Sequence, residues 1–208
     1  MEYKTVESRA ESRFIVKKSE FIGVVAPAET DEQATDFING VKADHRKAAH
    51  NCYAYILRNN NTARHSDDGE PGGTAGVPIH EVLVKTGIVD AAIVVTRYYG
   101  GILLGAAGLA RAYSHGAAIA VAAAKVKLMA LASRLHIEAA YPLYGLIGGV
   151  LNDPGFCVRL ESEQFSDKID IFLYVKESLS AELSARLIDV TNGSVVIQKT
   201  GERFFDFS

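Results

Sequence analysis

The 208-residue chain is 48% hydrophobic and 23% charged, a composition that suits a soluble globular protein with enough apolar residues for one large domain or two small ones. Its formal charge of −3 is uneven: residues 1–130 carry 15 Lys+Arg against 14 Asp+Glu, whereas residues 131–208 carry 7 against 11. The acidic second half disfavours a broad phosphate-binding surface there and leaves room for a local basic groove in the first half.

Cys52 and Cys157 stand in apolar runs (CYAYI and FCVRL) and read as buried small hydrophobes, with no support for a disulfide framework, a CxxC pair or a zinc site. The N-terminus has no apolar signal core, and the longest apolar stretch, 101–124, is interrupted by Arg111 and His115. A cytoplasmic protein without a membrane span is expected.

In chain order, residues 13–16 and 21–26 are β-rich runs joined by Lys17-Lys18-Ser19-Glu20, a hairpin pattern. Thr30 and Gln33 have capping-box spacing, and Ala34, Phe37, Ile38 and Val41 then fall on one helical face. Residues 51–58 alternate as a strand, and a short helix is expected near 77–85. Residues 91–96 (AAIVVT) form a continuous apolar run, expected to be a central strand buried on both faces. A helix over 105–124 follows, with Leu109, Tyr113, Ala117 and Val121 on one face and Arg111 and His115 on another. These elements predict an α/β sandwich with the sheet on one side and the helices on the other.

Residues 125–131 read as a crossover. Beyond them the pattern is strand 134–140, helix 142–151, strand 156–161, strand 169–175, helix 181–190 and strand 194–199. The order βαββαβ is that of a ferredoxin-like domain. The expected class is therefore α+β, with domains at 1–130 and 131–208.

Two stretches carry candidate chemistry. In HSDDGEPGGTAG (65–76), Asp67, Asp68 and Glu70 crowd together, while Gly69, Pro71, Gly72, Gly73, Thr74 and Gly76 hold one loop shape. The spacing is wrong for an EF-hand. A carboxylate acid/base pair is the less favoured reading, below salt-bridging or ligand anchoring. In RYYGGILLGAAGLARAY (97–113), a Gly-rich turn between strand and helix exposes backbone N–H groups to an anion. Arg97, Tyr98, Tyr99, Gly100, Gly101, Gly105, Gly108 and Arg111 are the candidate phosphate- or ligand-binding residues. The plainer alternative is tight glycine packing, with Arg97 and Arg111 paired to Asp67, Asp68 or Glu70.

Neither a Walker A loop nor a strict GxGxxG fingerprint is present. Residues 112–116 (AYSHG) lack the first glycine of a nucleophile elbow and fall within a helix. His45, His50, His65 and His80 have no zinc-type spacing. No catalytic residue, metal or cofactor is assigned.

SDDGEPGGTAG followed by VVTRYYGGILLGAAGLARAY resembles the YigZ/IMPACT family, over about residues 15–125. The resemblance implies a first domain with the fold of elongation factor G domain IV, a ribosomal-protein-like fold, and a second like that factor's domain V. It also implies two modes of action. Eukaryotic members regulate translation by protein binding and dampen a starvation-responsive kinase; for bacterial members nucleic-acid or ribosome binding is suspected. The eukaryotic members' N-terminal RWD domain has no counterpart in these 208 residues, so their contacts are not carried over.

The leading expectation is a non-enzymatic factor that binds RNA or a ribosome-linked partner and modulates translation. The alternatives are an enzyme acting on a phosphorylated or nucleotide substrate, with Asp67, Asp68 or Glu70 holding Mg²⁺ or acting as base, and a protein-interaction module.

Overall fold

The computed structural model describes residues 1–59 and 61–207. The chain divides into two units, Tyr3–Lys127 and Leu128–Ser208, the latter taking in Met1 and Glu2. No helix among the described residues is long and apolar enough to cross a membrane.

In the first unit β1 (Glu2–Val6) bridges through Lys4 to Ile88. β2 (Ala10–Val16) and β3 (Ser19–Pro27) form the expected hairpin with a tighter turn than the sequence pattern implied. Lys17 and Lys18 alone make it, at φ 45° and 63°, the left-handed pair whose twist matches the flanking strands. α1 (Asp31–Asp44) starts at Thr30, whose hydroxyl accepts from the Gln33 N–H at 3.2 Å, while the Gln33 amide oxygen accepts from the Glu29 N–H at 2.8 Å. β4 (His50–Leu57), β5 (Thr62–Ser66), α2 (Gly76–Thr86), β6 (Ala91–Tyr98) and α3 (Ala106–Ala123) complete the unit.

The strands form one sheet in the order β2-β3-β6-β4-β5, every neighbouring pair antiparallel. The helices do not share one side, as the sequence had implied. α2 and α3 cover the face of Phe21, Val25, Cys52, Ile93 and Val95, while α1 covers the opposite face through Ile22, Val24, Tyr55, Ala92 and Val94. This corrects the one-sided sandwich and explains AAIVVT: an antiparallel strand reads as continuously apolar only when both faces are covered, and β6 is buried from Ala91 through Arg97. α3 lies close enough to the sheet that a Cβ on Gly23 would sit 2.2 Å from the Gly116 carbonyl oxygen.

In the second unit β7 (Val126–Ala139) runs through the stretch expected to be a crossover. Its partner β10 (Val196–Asp206) extends far enough to pair with it from Met129 to Glu138, so the backbone of 129–131 has a ladder to join. Pro142 sits in a short 3₁₀ turn leading into α4 (Tyr144–Leu151). The strand expected at 156–161 starts later, as β8 (Arg159–Phe165). Pro154–Phe156 form another 3₁₀ turn, capped by Asp153 accepting from the Gly155 N–H at 2.9 Å, and Cys157 is left-handed at φ 49°. Cys157 is exposed, contrary to its apolar surroundings in sequence, whereas Cys52 is buried as expected.

β9 (Ile169–Lys176) and α5 (Glu177–Val190) complete the unit. The left-handed Asn192 and Gly193 end that helix, the Gly193 N–H donating to the Ile188 carbonyl at 2.8 Å. In a five-stranded sheet that also includes β1, the strands β8, β9, β7 and β10 follow one another, each antiparallel to the next, the arrangement expected of a βαββαβ ferredoxin-like domain. Its core joins Leu135, Ile137, Ile171 and Leu173 to Ile147, Leu183 and Leu187.

Candidate functional site

The three acids of the 65–76 loop are folded apart, each onto a different set of donors. Asp67 lies under the start of α2: Oδ1 accepts from the N–H groups of Ala75 and Gly76 at 2.9 and 2.8 Å, and Oδ2 from Gly73 at 2.8 Å. Ala75, at the helix N-cap, has no side chain able to cap it, so Asp67 supplies the missing acceptor from upstream. Burial raises its carboxyl pKa, but the three N–H groups outweigh that and hold it below the usual carboxylate range.

Asp68, left-handed at φ 45°, turns the other way and accepts from Lys42 Nζ at 2.8 Å and the Asn51 N–H at 2.7 Å. Glu70 turns inward and is 8% exposed. Its Oε1 accepts from Arg97 Nη1 at 2.6 Å and the Tyr113 hydroxyl at 2.8 Å, with His50 Nε2 3.9 Å away. Burial, with Cys52 and Glu70 alongside, pushes the Tyr113 phenol well above its ordinary pKa. His50 Nδ1 and the Cys52 thiol donate to the carbonyls of Asp68 and Asp67. Gly69 and Gly73 take positive φ, Pro71 accepts from the Thr74 hydroxyl at 2.7 Å, and Gly76 passes against the Ser66 backbone.

The second motif contributes one buried and several exposed groups. Arg97 is 5% exposed and paired to Glu70, one of the pairings considered from sequence. Arg111 does not follow it. It is exposed on α3 and forms no ion pair among the described residues, although it shares a surface hollow with Gly73 of the loop; the three loop acids are held by other donors. Tyr98 is half-buried, its hydroxyl 3.0 Å from His45 Nδ1. Tyr99 is 51% exposed, its ring centroid 5.3 Å from the Arg97 guanidinium carbon. Gly100 is packed rather than open: a Cβ there would lie 2.0 Å from the Lys18 carbonyl carbon and oxygen. Gly101 and Gly105 take positive φ in the loop before α3, and Gly108 lies in that helix's first turn against Leu104.

One end of this unit gathers what sequence reasoning had left unassigned. The Lys17-Lys18 turn packs on Gly100, and the Ala49 N–H donates to the Arg97 carbonyl at 2.9 Å, bringing Arg46 and Lys47 to the same end of β6. Arg111 shares a surface hollow with Lys17. Among the described residues none of Lys17, Lys18, Arg46, Lys47 and Arg111 has a carboxylate partner. Arg9, Arg13, Lys42, Arg58, Arg64, Lys85, Arg97, Lys125 and Lys127 all do, while Lys4, which also has none, lies elsewhere, bridged to Ile88. The signals in sequence were the adjacent pairs Lys17-Lys18 and Arg46-Lys47.

Chemically, the arrangement offers exposed cations and an exposed Tyr99 on a frame held from within. Asp67, Asp68 and Glu70 each already hold protein donors, and no three His, Cys, Asp or Glu side chains gather to ligate a metal among the described residues.

Comparison with known proteins agrees with this division. Residues 17–121 match the Impact N-terminal domain, and residues 137–194 match a domain of unknown function, DUF1949. The chain is 37% identical over 201 residues to the IMPACT family member YvyE of Bacillus subtilis, covering 96% of this chain and 91% of that protein. It is 33% identical over 187 residues to the IMPACT family member YigZ of Escherichia coli, covering 86% and 89%. A crystal structure of a hypothetical protein superposes with a TM-score of 0.61 at 28% identity, covering 97% of this chain and 98% of that one. The chain therefore belongs to the IMPACT family.

Proposed function

We propose that this protein is a non-enzymatic, cytoplasmic factor that holds the phosphate backbone of RNA, as displayed on a ribosome, and thereby modulates translation. The observation that carries the reading is the set of five exposed, carboxylate-free cations at one end of the first unit: Lys17, Lys18, Arg46, Lys47 and Arg111. Phosphates attract such cations through counterion release, whereas cations already paired contribute little. Tyr99 beside them offers a ring for base stacking. Gly101 and Gly105 keep the adjoining backbone open, while Arg97 and the 65–76 loop hold the frame.

The engagement of all three acids by internal donors favours binding over acid/base or Mg²⁺-dependent chemistry, since each would first have to abandon a structural contact. Filter binding of a structured RNA over a salt series tests the proposal. Affinity should fall steeply with salt and with Lys17→Glu/Lys18→Glu. Salt-independent binding, or partner capture that survives nuclease, would instead point to a protein-interaction module.

A further inference from the structure

In the second unit β8 ends its sheet, and among the described residues no strand pairs with its outer edge. Between β8 and α4 lies a cleft of about 250 Å³, with Tyr144, Gly148, Leu151, Val158, Leu160 and Glu163 in its walls. We propose that this edge and cleft together bind an extended polypeptide segment of another protein, one that presents apolar, basic and apolar side chains in turn along one face. The inference rests on observations separate from the unpaired cations of the first unit and stands whether or not RNA binds there.

Register fixes which β8 side chains face the helices. Leu160, Glu163 and Phe165 lie opposite Leu173, Ile171 and Ile169, which share one core with Ile147 of α4 and Leu183 of α5. Residues opposite one another in a ladder project to the same face, and the irregularity at Glu161 sets Leu160 and Glu163 next to each other on it. The helices leave this end of the sheet partly bare, with Leu160 and Phe165 each 55% exposed. A strand added to β8 would pair with its free backbone groups and carry alternate side chains over the cleft.

Two further features point to an occupant and select its chemistry. α4 (YGLIGGVL) holds three glycines in eight residues, although glycine is the poorest helix former after proline. Gly145, Gly148 and Gly149 all have negative φ, and a Cβ on any of them would meet nothing within 4 Å. Neither conformation nor internal packing asks for them; at Gly148 the missing side chain keeps the cleft open and lets a partner approach the helix backbone. The second feature is Glu163, which accepts from the Tyr144 hydroxyl at 3.1 Å and has no cationic partner among the described residues. In a half of the chain that carries 7 Lys+Arg against 11 Asp+Glu, this carboxylate repels a phosphate and suits a lysine or arginine. Flanking apolar residues two positions away would then cover Leu160 and Phe165. A second copy of β8 centred on Ser162 is a poor occupant, because Glu161 and Glu163 would oppose each other.

The experiment is calorimetric titration of the full chain with a heptapeptide blocked at both ends, in which threonines alternate with isoleucine, lysine and leucine. The same peptide with glutamate for lysine is the comparison. The lysine peptide should bind saturably and the glutamate peptide at least tenfold more weakly. Backbone N-methylation of alternate residues should abolish binding for one set and spare it for the other, since only alternate N–H groups of a strand face its neighbour. Gly148→Leu fills open space in the cleft with a better helix former; it should keep or raise the thermal midpoint and weaken binding at least tenfold. Glu163→Gln, which keeps an acceptor for Tyr144, should erase the preference for lysine over glutamate. No saturation at millimolar concentration, equal loss from both N-methylated sets, unchanged binding by Gly148→Leu, or an undiminished lysine preference in Glu163→Gln would each overturn the assignment. So would displacement of the peptide by RNA, or self-association of the free chain that Gly148→Leu abolishes, which would give this face to a second copy.

Discussion

Glu70 and Arg97 meet at 2.6 Å inside the first unit, with side chains only 3% and 7% exposed, one from each of the two motifs that mark the sequence. The pair ties the 65–76 loop to the end of the central strand. An intact buried pair adds little net stability, but removing one partner leaves the other uncompensated. Glu70→Ala should therefore cost about 3–5 kcal/mol in urea denaturation. Replacing both residues by apolar ones, Glu70→Leu with Arg97→Met, should recover most of that loss. A double variant as unstable as Glu70→Ala would show that the carboxylate's other donor, Tyr113, carries the effect.

Asp67 gives a pH-dependent prediction. Its folded pKa lies below the unfolded value of about 3.9, because three backbone N–H groups outweigh the burial that would raise it. A carboxyl with a depressed folded pKa contributes stability above the unfolded pKa and loses it as pH falls through the folded one. Asp67→Asn should flatten the acid limb of the stability curve below about pH 4. Asp67→Ala should cost about 0.5–2 kcal/mol near neutrality, the range for a lost helix cap. An unchanged acid limb in Asp67→Asn would refute the capping role.

Gly100→Ala tests the packing of the second motif on the β2–β3 turn. The added methyl meets Lys18 backbone at 2.0 Å, and backbone cannot rotate away as a side-chain tip can. A loss of about 1–3 kcal/mol is expected from this overpacking, with shifted amide resonances at Lys17 and Lys18. Gly101→Ala, which meets nothing within 4 Å but sits at φ 80°, should cost stability without moving the turn.

Much of this architecture was legible because period and spacing report local geometry. The buried stripe of α3 and the βαββαβ order both follow from apolar repeats. The one-sided sandwich failed because the pattern of α1 shows which of its residues are buried but not which face of the sheet buries them. The strand at 129–131 was missed because its ladder partner is β10, some 70 residues away in the chain. At the candidate site, charge set Arg97 and Arg111 against Asp67, Asp68 or Glu70 but did not say which arginine meets which acid; only Arg97 and Glu70 pair. The inward turn of Glu70 away from Asp67 and Asp68 rests on the left-handed Asp68 and Gly69, a backbone detail that residue types do not specify. The weight of Lys17, Lys18, Arg46 and Lys47 lies in their meeting at one end of β6 without carboxylates, a tertiary relationship that residue types do not specify.

The two cysteines should separate cleanly in reactivity. Cys157 is exposed, whereas Cys52 is buried and donates to the Asp67 carbonyl. Burial, with the nearby acids adding to it, pushes the Cys52 thiol up to about 12, so almost no thiolate forms at pH 8. A maleimide at that pH should label one equivalent rapidly in the native protein and the second only after denaturant is added. Rapid native labelling of both would mean that the loop over Cys52 opens readily.

The RNA-binding proposal yields a number through salt dependence. If Lys17, Lys18, Arg46, Lys47 and Arg111 each neutralise one phosphate, log K should fall against log salt with a slope of about −3.5 on single strands and about −4.5 on duplex. Removing Lys17 and Lys18 together should reduce the magnitude by about 1.4 on single strands and about 1.8 on duplex, and weaken affinity similarly for every RNA sequence, because phosphate contacts carry no base identity. Lys85→Ala is the comparison, since Lys85 already pairs with Glu81 at 2.9 Å; it should leave the slope unchanged. Tyr99→Ala should lower affinity for single strands more than for duplex, because stacking requires an unpaired base, and should leave the slope in place. Equal slopes for the Lys17/Lys18 and Lys85 variants would assign the electrostatics to the whole surface and remove this end of the domain as the binding site.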